Sequence, residues 1–290
     1  MNDLAADLRG GLAIVRASWV AVAVFVVFGA CVDMATHALA HSLGQQIPVE
    51  WPAFPTYAAS MALAWLPSLV VSMVLVLFMI EIAAAGADRC AGKDVRMQLD
   101  FKPRVAWAVV ASICLSGMLA YVLLVVLNRI EGFLGGFMMN SPGIAGTPGI
   151  DTEDPVWFSA VMNFFYLAIV AFSVARFALI PFLARHYGMG FRQAWTPQPE
   201  PVNGFIGAFR RRFFYIFLMI LIVDAVLIEL VGHMAASVAG KGIAYVFVEL
   251  PLSILLVTVL PVSVLTHMVR SINPLITRTL GRETDYDTGK

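Results

Sequence analysis

Three acidic residues and three histidines at helical intervals are the groups best placed to do chemistry in this 290-residue chain. Asp33, His37 and His41 recur every fourth residue, Glu229 and His233 repeat that interval, and Glu249 stands two residues before Pro251. Four-residue spacing stacks side chains on one helical face. Imidazole and carboxylate so stacked, on helices that face each other, are a ligand set for a divalent metal or the parts of a proton relay. A plainer alternative stands beside that one. All six residues lie toward the outer ends of long apolar runs, where polar groups reach headgroup-level water or pair with one another, and His37 and His41 then lie past the end of the first run. The expectation adopted is the plainer one: an intramembrane polar cluster with no metal, no cofactor and no catalytic residue. His37 with His233 is the one pair at matched depth that a haem could use. Asp224 is separate, in mid-run and about 140° around a helix from Glu229. Depth alone offers it Arg16 or Arg176 as a partner, or a protonated form held by a hydrogen bond.

These groups stand out because the rest of the chain is so apolar. Hydrophobic residues make up 60% of it and charged residues 13%, with a mean hydropathy of +0.84. An ordinary soluble domain carries about 25% charged residues, so this chain could not cover its own surface in water. Most soluble enzyme classes, a nucleic-acid binder resting on a basic surface and a disulfide-built scaffold are excluded. A helix crosses the hydrocarbon layer with about 20 apolar residues. Six runs qualify: 13–38, 57–84, 105–128, 157–180, 212–235 and 244–269. Barrel strands would alternate apolar and polar residues, whereas Val20–Val27 and Phe213–Val223 are apolar on every side. The expected fold is therefore all-α, a polytopic bundle of six transmembrane helices forming one integral membrane domain over 1–290.

Charge orients the bundle. Of the 19 Lys and Arg, all but Arg129, Lys241 and Arg176 fall at the chain ends or in the connections that six spans place on one side. Positive charge is retained in the cytoplasm, which puts both termini inside a bacterial cytoplasmic membrane. The start, Met1-Asn2-Asp3, followed by an apolar run too long for a leader, is expected to remain as a retained helix. Arg210, Arg211 and Arg212 open the fifth run at headgroup level, where each cation is worth about 1 kcal/mol; they enforce topology first and meet lipid headgroups second. The outer stretch Arg129–Pro155 is rich in Gly and Pro and is expected on the outer surface. On the inner side, Phe191 and Trp195 suit a short interfacial helix ended by Pro197. Cys31, Cys90 and Cys114 lie at three different depths, with no disulfide or zinc pattern.

The stretch ARFALIPFLARHYGMGFRQAW, followed by the basic start of the fifth run, resembles a broad group of bacterial six-helix membrane proteins. That group includes the membrane domain found beside glycerophosphoryl diester phosphodiesterases. The residues that carry the resemblance are Arg176-Phe177, Pro181, Gly190 and Ala194-Trp195, with a fainter echo in AAAGADRCAGKDVRM from Ala83 to Met97. It covers Ala83 to Leu230 and departs from the group in the Pro-rich insert Thr196–Val202. No phosphodiesterase domain is present, so the resemblance implies fold and location and transfers no catalytic residue. No Walker A loop, G-x-S-x-G, H-E-x-x-H or dinucleotide fingerprint occurs. The expected function is a non-enzymatic accessory or scaffold membrane protein whose partners are the lipid bilayer and a membrane protein or second copy. The alternative is a small-solute or ion transporter or channel lined by Asp33, His37, Glu229, His233, Asp224 and Glu249. The half-to-half echo favours transport, since repeats are common among transporters.

Overall fold

Leu4, Leu8, Ile14 and Val15 recur along one side of the first residues, Asp3 suits a first turn and Arg16 a last one. The computed structural model folds this segment as a helix of its own, α1 (Asn2–Ala17). The structure describes residues 2–45, 53–93, 102–139, 156–188, 202–239 and 245–271. At Ser18 the chain turns: its N–H is shared between the carbonyls of Ile14 and Val15 (3.1 and 3.2 Å), and its hydroxyl donates to Ile14 O at 2.8 Å. There follow α2 (Trp19–Gln45), α3 (Ala53–Cys90), α4 (Pro103–Met139), α5 (Val156–Phe177), α6 (Leu179–Tyr187) and α7 (Val202–Ala239). The last helix, α8 (Tyr245–Ser271), contains two π-helical stretches, Tyr245–Glu249 and Ile254–Val259. No strand occurs among the described residues.

Among the described residues, six helical stretches are long and apolar enough to cross a membrane. Their ends differ from the sequence expectation where packing overrides hydropathy. The first begins at Trp19 rather than at 13, because residues up to Ala17 belong to α1. The fourth runs from Phe158 to His186, since α6 continues α5 beyond a single turn at Ala178. The fifth begins at Ile206, so Arg210–Arg212 lie within its first turns. Helix α4 persists to Met139, into the stretch expected as an outer loop. Its 37 residues reach about 55 Å, more than the ~30 Å hydrocarbon layer, so the helix projects beyond it. Residues 140–155 and the proposed interfacial helix at Phe191 and Trp195 lie outside the described residues.

The long helices close into a ring. Helix α2 packs on α3, α3 meets α4, α4 packs on α5 and α6, α5 on α7, and α7 and α2 both on α8. The end that gathers α1 and the C-terminal turns of α3, α6 and α8 is the charged one. Across it lies α1, from α3 at Ala13 and Ala17, which accept from Cys90 and Arg89, to α8 and then to α7 at Asp7. Backbone contact this close requires glycine: a Cβ on Gly11 would sit 2.5 Å from Val264 Cγ2, and one on Gly86 of α3 2.9 Å from Ile14 O. Helix α6 ends on Gly188 at φ +68°, a conformation glycine adopts freely, and Arg104 donates to its carbonyl at 3.4 Å. At the opposite end Tyr166 of α5 joins Asn128 and Glu131 of α4, the latter at 2.7 Å.

Docking α1 buries a carboxylate. Asp7 is 5% exposed, and Arg212 of α7 reaches it at 3.3 Å and Asp3 at 3.9 Å. Burial pushes the Asp7 carboxyl above its ordinary value; Arg212 and His267 oppose that rise and Asp3 adds to it. A carboxyl raised in the folded state contributes stability below its unfolded value of 3.8 that is lost as pH climbs through its folded value. Wild type should therefore lose thermal stability relative to Asp7→Asn as pH rises from about 4 to 7, a difference that unfolding curves of both proteins in the same detergent would measure directly.

Candidate functional site

Helices α3 to α8 leave a space between them. Helix α4 offers it small side chains in Ser112, Ser116, Gly117 and Ala120, facing Ser173 of α5 and Ser72 of α3. Phe213 and Phe217 of α7, stacked with ring centroids 5.7 Å apart, form another wall. Helix α8 adds Val257, Thr258 and Pro261. The cavity holds about 480 Å³, within the range of small-molecule sites. Among the described residues its polar side-chain groups are hydroxyls, and none of those lining it is titratable. Ser72 and Gly117 line it and are also exposed, so its mouth opens sideways between α3 and α4. A Cβ on Gly117 would meet nothing within 4 Å.

Proline shapes two of the walls. Pro181 has no N–H to give the carbonyl of Phe177 four residues earlier, a debt that is costly inside a membrane. Ser112 of α4 settles it, its hydroxyl donating to Phe177 O at 2.9 Å. Ser112→Ala should thus destabilise the protein by about 1–2 kcal/mol through an orphaned buried carbonyl, which thermal unfolding would register, whereas Ser116→Ala should be near neutral. In α8 the second π-helical stretch ends just before Pro261, and Leu260 N–H donates to Leu255 O, five residues back. Widened turns of this kind accommodate a proline and recur at functional sites. Ser173 and Ser263 are buried with hydroxyls that have no partner among the described residues.

Toward the charged end, one to two turns beyond the lining residues Pro181, Phe182 and Leu265, ion pairs tie the same helices together. Arg185 of α6 grips Glu81 of α3 with two bonds of 2.6 and 2.8 Å, and Glu81 is 4% exposed. Arg270 of α8 reaches Asp88 of α3 at 2.9 Å and Ala84 O at 3.1 Å, while Lys93 stands 3.9 Å from the same Asp88. Three helices are thereby tied near the charged end, at two levels about two turns apart on α3. The sequence offered Glu81 and Arg185 as separate residues of an inner end, 104 positions apart, with nothing to pair them.

Asp33, Asp224, Glu229, His233 and Glu249, singled out from sequence, are not among the described lining residues of this cavity. Glu229 and His233 do approach each other, at 3.7 Å, yet they are 78% and 81% exposed on the outer flank of α7, beside Val226 and Leu230. Glu249 of α8 lies against Gly232 of α7, where a Cβ would come within 2.5 Å of its Oε1. Asp33 is half-buried on α2. The side chains of His37 and His41 lie outside the described residues. No three His, Cys, Asp or Glu gather to hold a metal among the described residues. Asp224 is buried, and its partner is neither Arg16 nor Arg176 but Ser253 of α8, whose hydroxyl donates to Oδ2 at 3.3 Å. The basic triplet divides, Arg212 turning to Asp7 while Arg210 and Arg211 face the opposite flank with Arg176. Compared with known proteins, the chain matches no protein-family model, no curated protein and no solved structure.

Proposed function

We propose that this is a non-enzymatic protein of the bacterial cytoplasmic membrane, with both termini inside, and that its central cavity takes up an apolar or weakly polar molecule from the surrounding lipid. An accessory role beside other membrane proteins follows naturally from holding such a guest. The observation that carries this reading is the cavity itself: about 480 Å³, walled by α3 to α8, polar through hydroxyls alone among the described side chains, with a sideways mouth. A site without titratable groups suits binding rather than acid–base or nucleophilic chemistry. The orientation rests on the charged end, where α1 and the close of α8 meet, because basic ends are retained in the cytoplasm. Kinship with the six-helix group found beside glycerophosphoryl diester phosphodiesterases belongs to the same proposal, on Arg176-Phe177 and Pro181.

Transport is the second reading, favoured by one specific arrangement. The cavity is open to the side, the Glu81–Arg185 pair ties α3 to α6 one to two turns beyond its lining, and α8, which walls it, carries two π-helical stretches. A solute leaving inward would require that pair to part. Native mass spectrometry of the protein released gently from its membrane tests the first reading: a discrete apolar guest near one per chain is expected. A protein carrying only bulk phospholipid would contradict it. Flux in proteoliposomes that rises in Glu81→Gln would support the second.

A further inference from the structure

Three arginines converge on a groove that the cavity reading does not use. Arg176 of α5 and Arg210 and Arg211 of α7 line a cleft of about 260 Å³ on the outer flank of the α5–α7 pair, with Gly207 and Ala175 beside them and Phe172, Phe214 and Tyr215 at its edge. None of the three arginines forms an ion pair with a carboxylate among the described residues, although Arg212, the next residue, has two. Arg210 and Arg176 instead stand as like charges in the same cleft. The Nε–H of Arg210 is buried and has no hydrogen-bond partner among the described residues. Like charges brought together around an unused buried donor are costly unless an anion completes them.

The position of the groove says which anion. It lies toward the charged end of two helices long and apolar enough to cross a membrane, with Arg210 and Arg211 in the first turns of the Ile206–Met234 stretch, where a leaflet's phosphates are expected. Directly along the same flank, Phe172, Tyr215 and Met219 are 51%, 59% and 46% exposed, an apolar track that an acyl chain would cover. Guanidinium forks match phosphate oxygens in pairs. We infer that Arg176, Arg210 and Arg211 form a binding site for the phosphodiester of an anionic glycerophospholipid in the leaflet at the charged end, the chains of that lipid lying over Phe172 and Tyr215.

This site is independent of the cavity, so its test uses different variants. Wild type, Arg176→Gln/Arg211→Gln and a control, Arg89→Gln/Lys93→Gln, would be purified from the same membrane and placed in nanodiscs of phosphatidylcholine with 10% (about one lipid in ten) phosphatidylglycerol. Retained lipid is then counted by native mass spectrometry. Both altered arginines are exposed or at the groove edge, and unchanged thermal unfolding in pure phosphatidylcholine checks that the variant folds. Wild type and the control should hold a phosphatidylglycerol that the double variant retains about tenfold less per arginine removed. Equal retention by all three, or an equal loss in the control, would overturn the assignment. A second arm titrates inorganic phosphate into the loaded protein. Phosphate should fail to displace the lipid at millimolar concentration, and displacement there would show a site for free phosphate instead.

Discussion

Arg185→Met will cost the protein about 3 kcal/mol of stability, the low end of the 3–5 kcal/mol range for stranding one partner of a buried ion pair. The low end applies because the Arg185 side chain keeps 24% of its surface exposed, whereas Glu81, at 4%, would be left charged and enclosed. The loss has two parts: the paired hydrogen bonds at 2.6 and 2.8 Å disappear, and the carboxylate has no water to replace them. Glu81→Leu/Arg185→Met removes both charges together and should recover most of the loss, since an apolar pair of similar volume is often as stable as the ions it replaces. Equilibrium unfolding of wild type, the single variant and the double variant in one detergent gives the comparison. A single variant as stable as wild type would mean that this ion pair holds nothing together.

The second large effect concerns the mouth of the cavity. Gly117 stands where a side chain would meet open space, so Gly117→Leu can enter the cavity without displacing a wall. It should lower retention of the bound guest by at least about tenfold, a factor that corresponds to only 1.4 kcal/mol of lost binding. Stability of the guest-free protein should hold or rise by about 0.5–2 kcal/mol, as cavity filling and the removal of a helical glycine usually bring. Opposite signs for binding and stability are the signature of a filled site. A parallel fall in both would indicate a distorted bundle.

Much of this architecture was legible in residue order. Largely apolar runs of 20 or more residues marked the helices long and apolar enough to cross a membrane, because hydrocarbon tolerates little else. What hydropathy could not see was α1: Leu4, Leu8 and Ile14 make a modest amphipathic pattern, and its docking depends on Gly10, Gly11 and Gly86 meeting partners far away in the chain. The cavity was hidden for a related reason. Ser112, Ser116 and Ala120 at every fourth position ordinarily signal close helix packing; that this stripe faces a void depends on Ser173 and Ser72 opposite it. Acid and imidazole at four-residue spacing drew notice to Glu229 and His233, and spacing did bring that pair together. It could not report which way the helix face turned. The buried carboxylates that do organise the bundle, Glu81 and Asp88, sit at the boundary of an apolar run, where a lone acid looks like an ordinary helix end until Arg185 and Arg270 arrive from elsewhere.

Whether the cavity takes guests from the bilayer is answered most directly by photocrosslinking with a diazirine-bearing acyl lipid in reconstituted membranes, followed by mass-spectrometric mapping of the adducts. Adducts on enclosed lining residues such as Ser173 and Val262, which are 0% and 7% exposed, and their loss in Gly117→Leu, are the expected result. Adducts confined to outward-facing residues such as Trp107, Met118, Tyr121 and Phe172, unchanged in that variant, would contradict it.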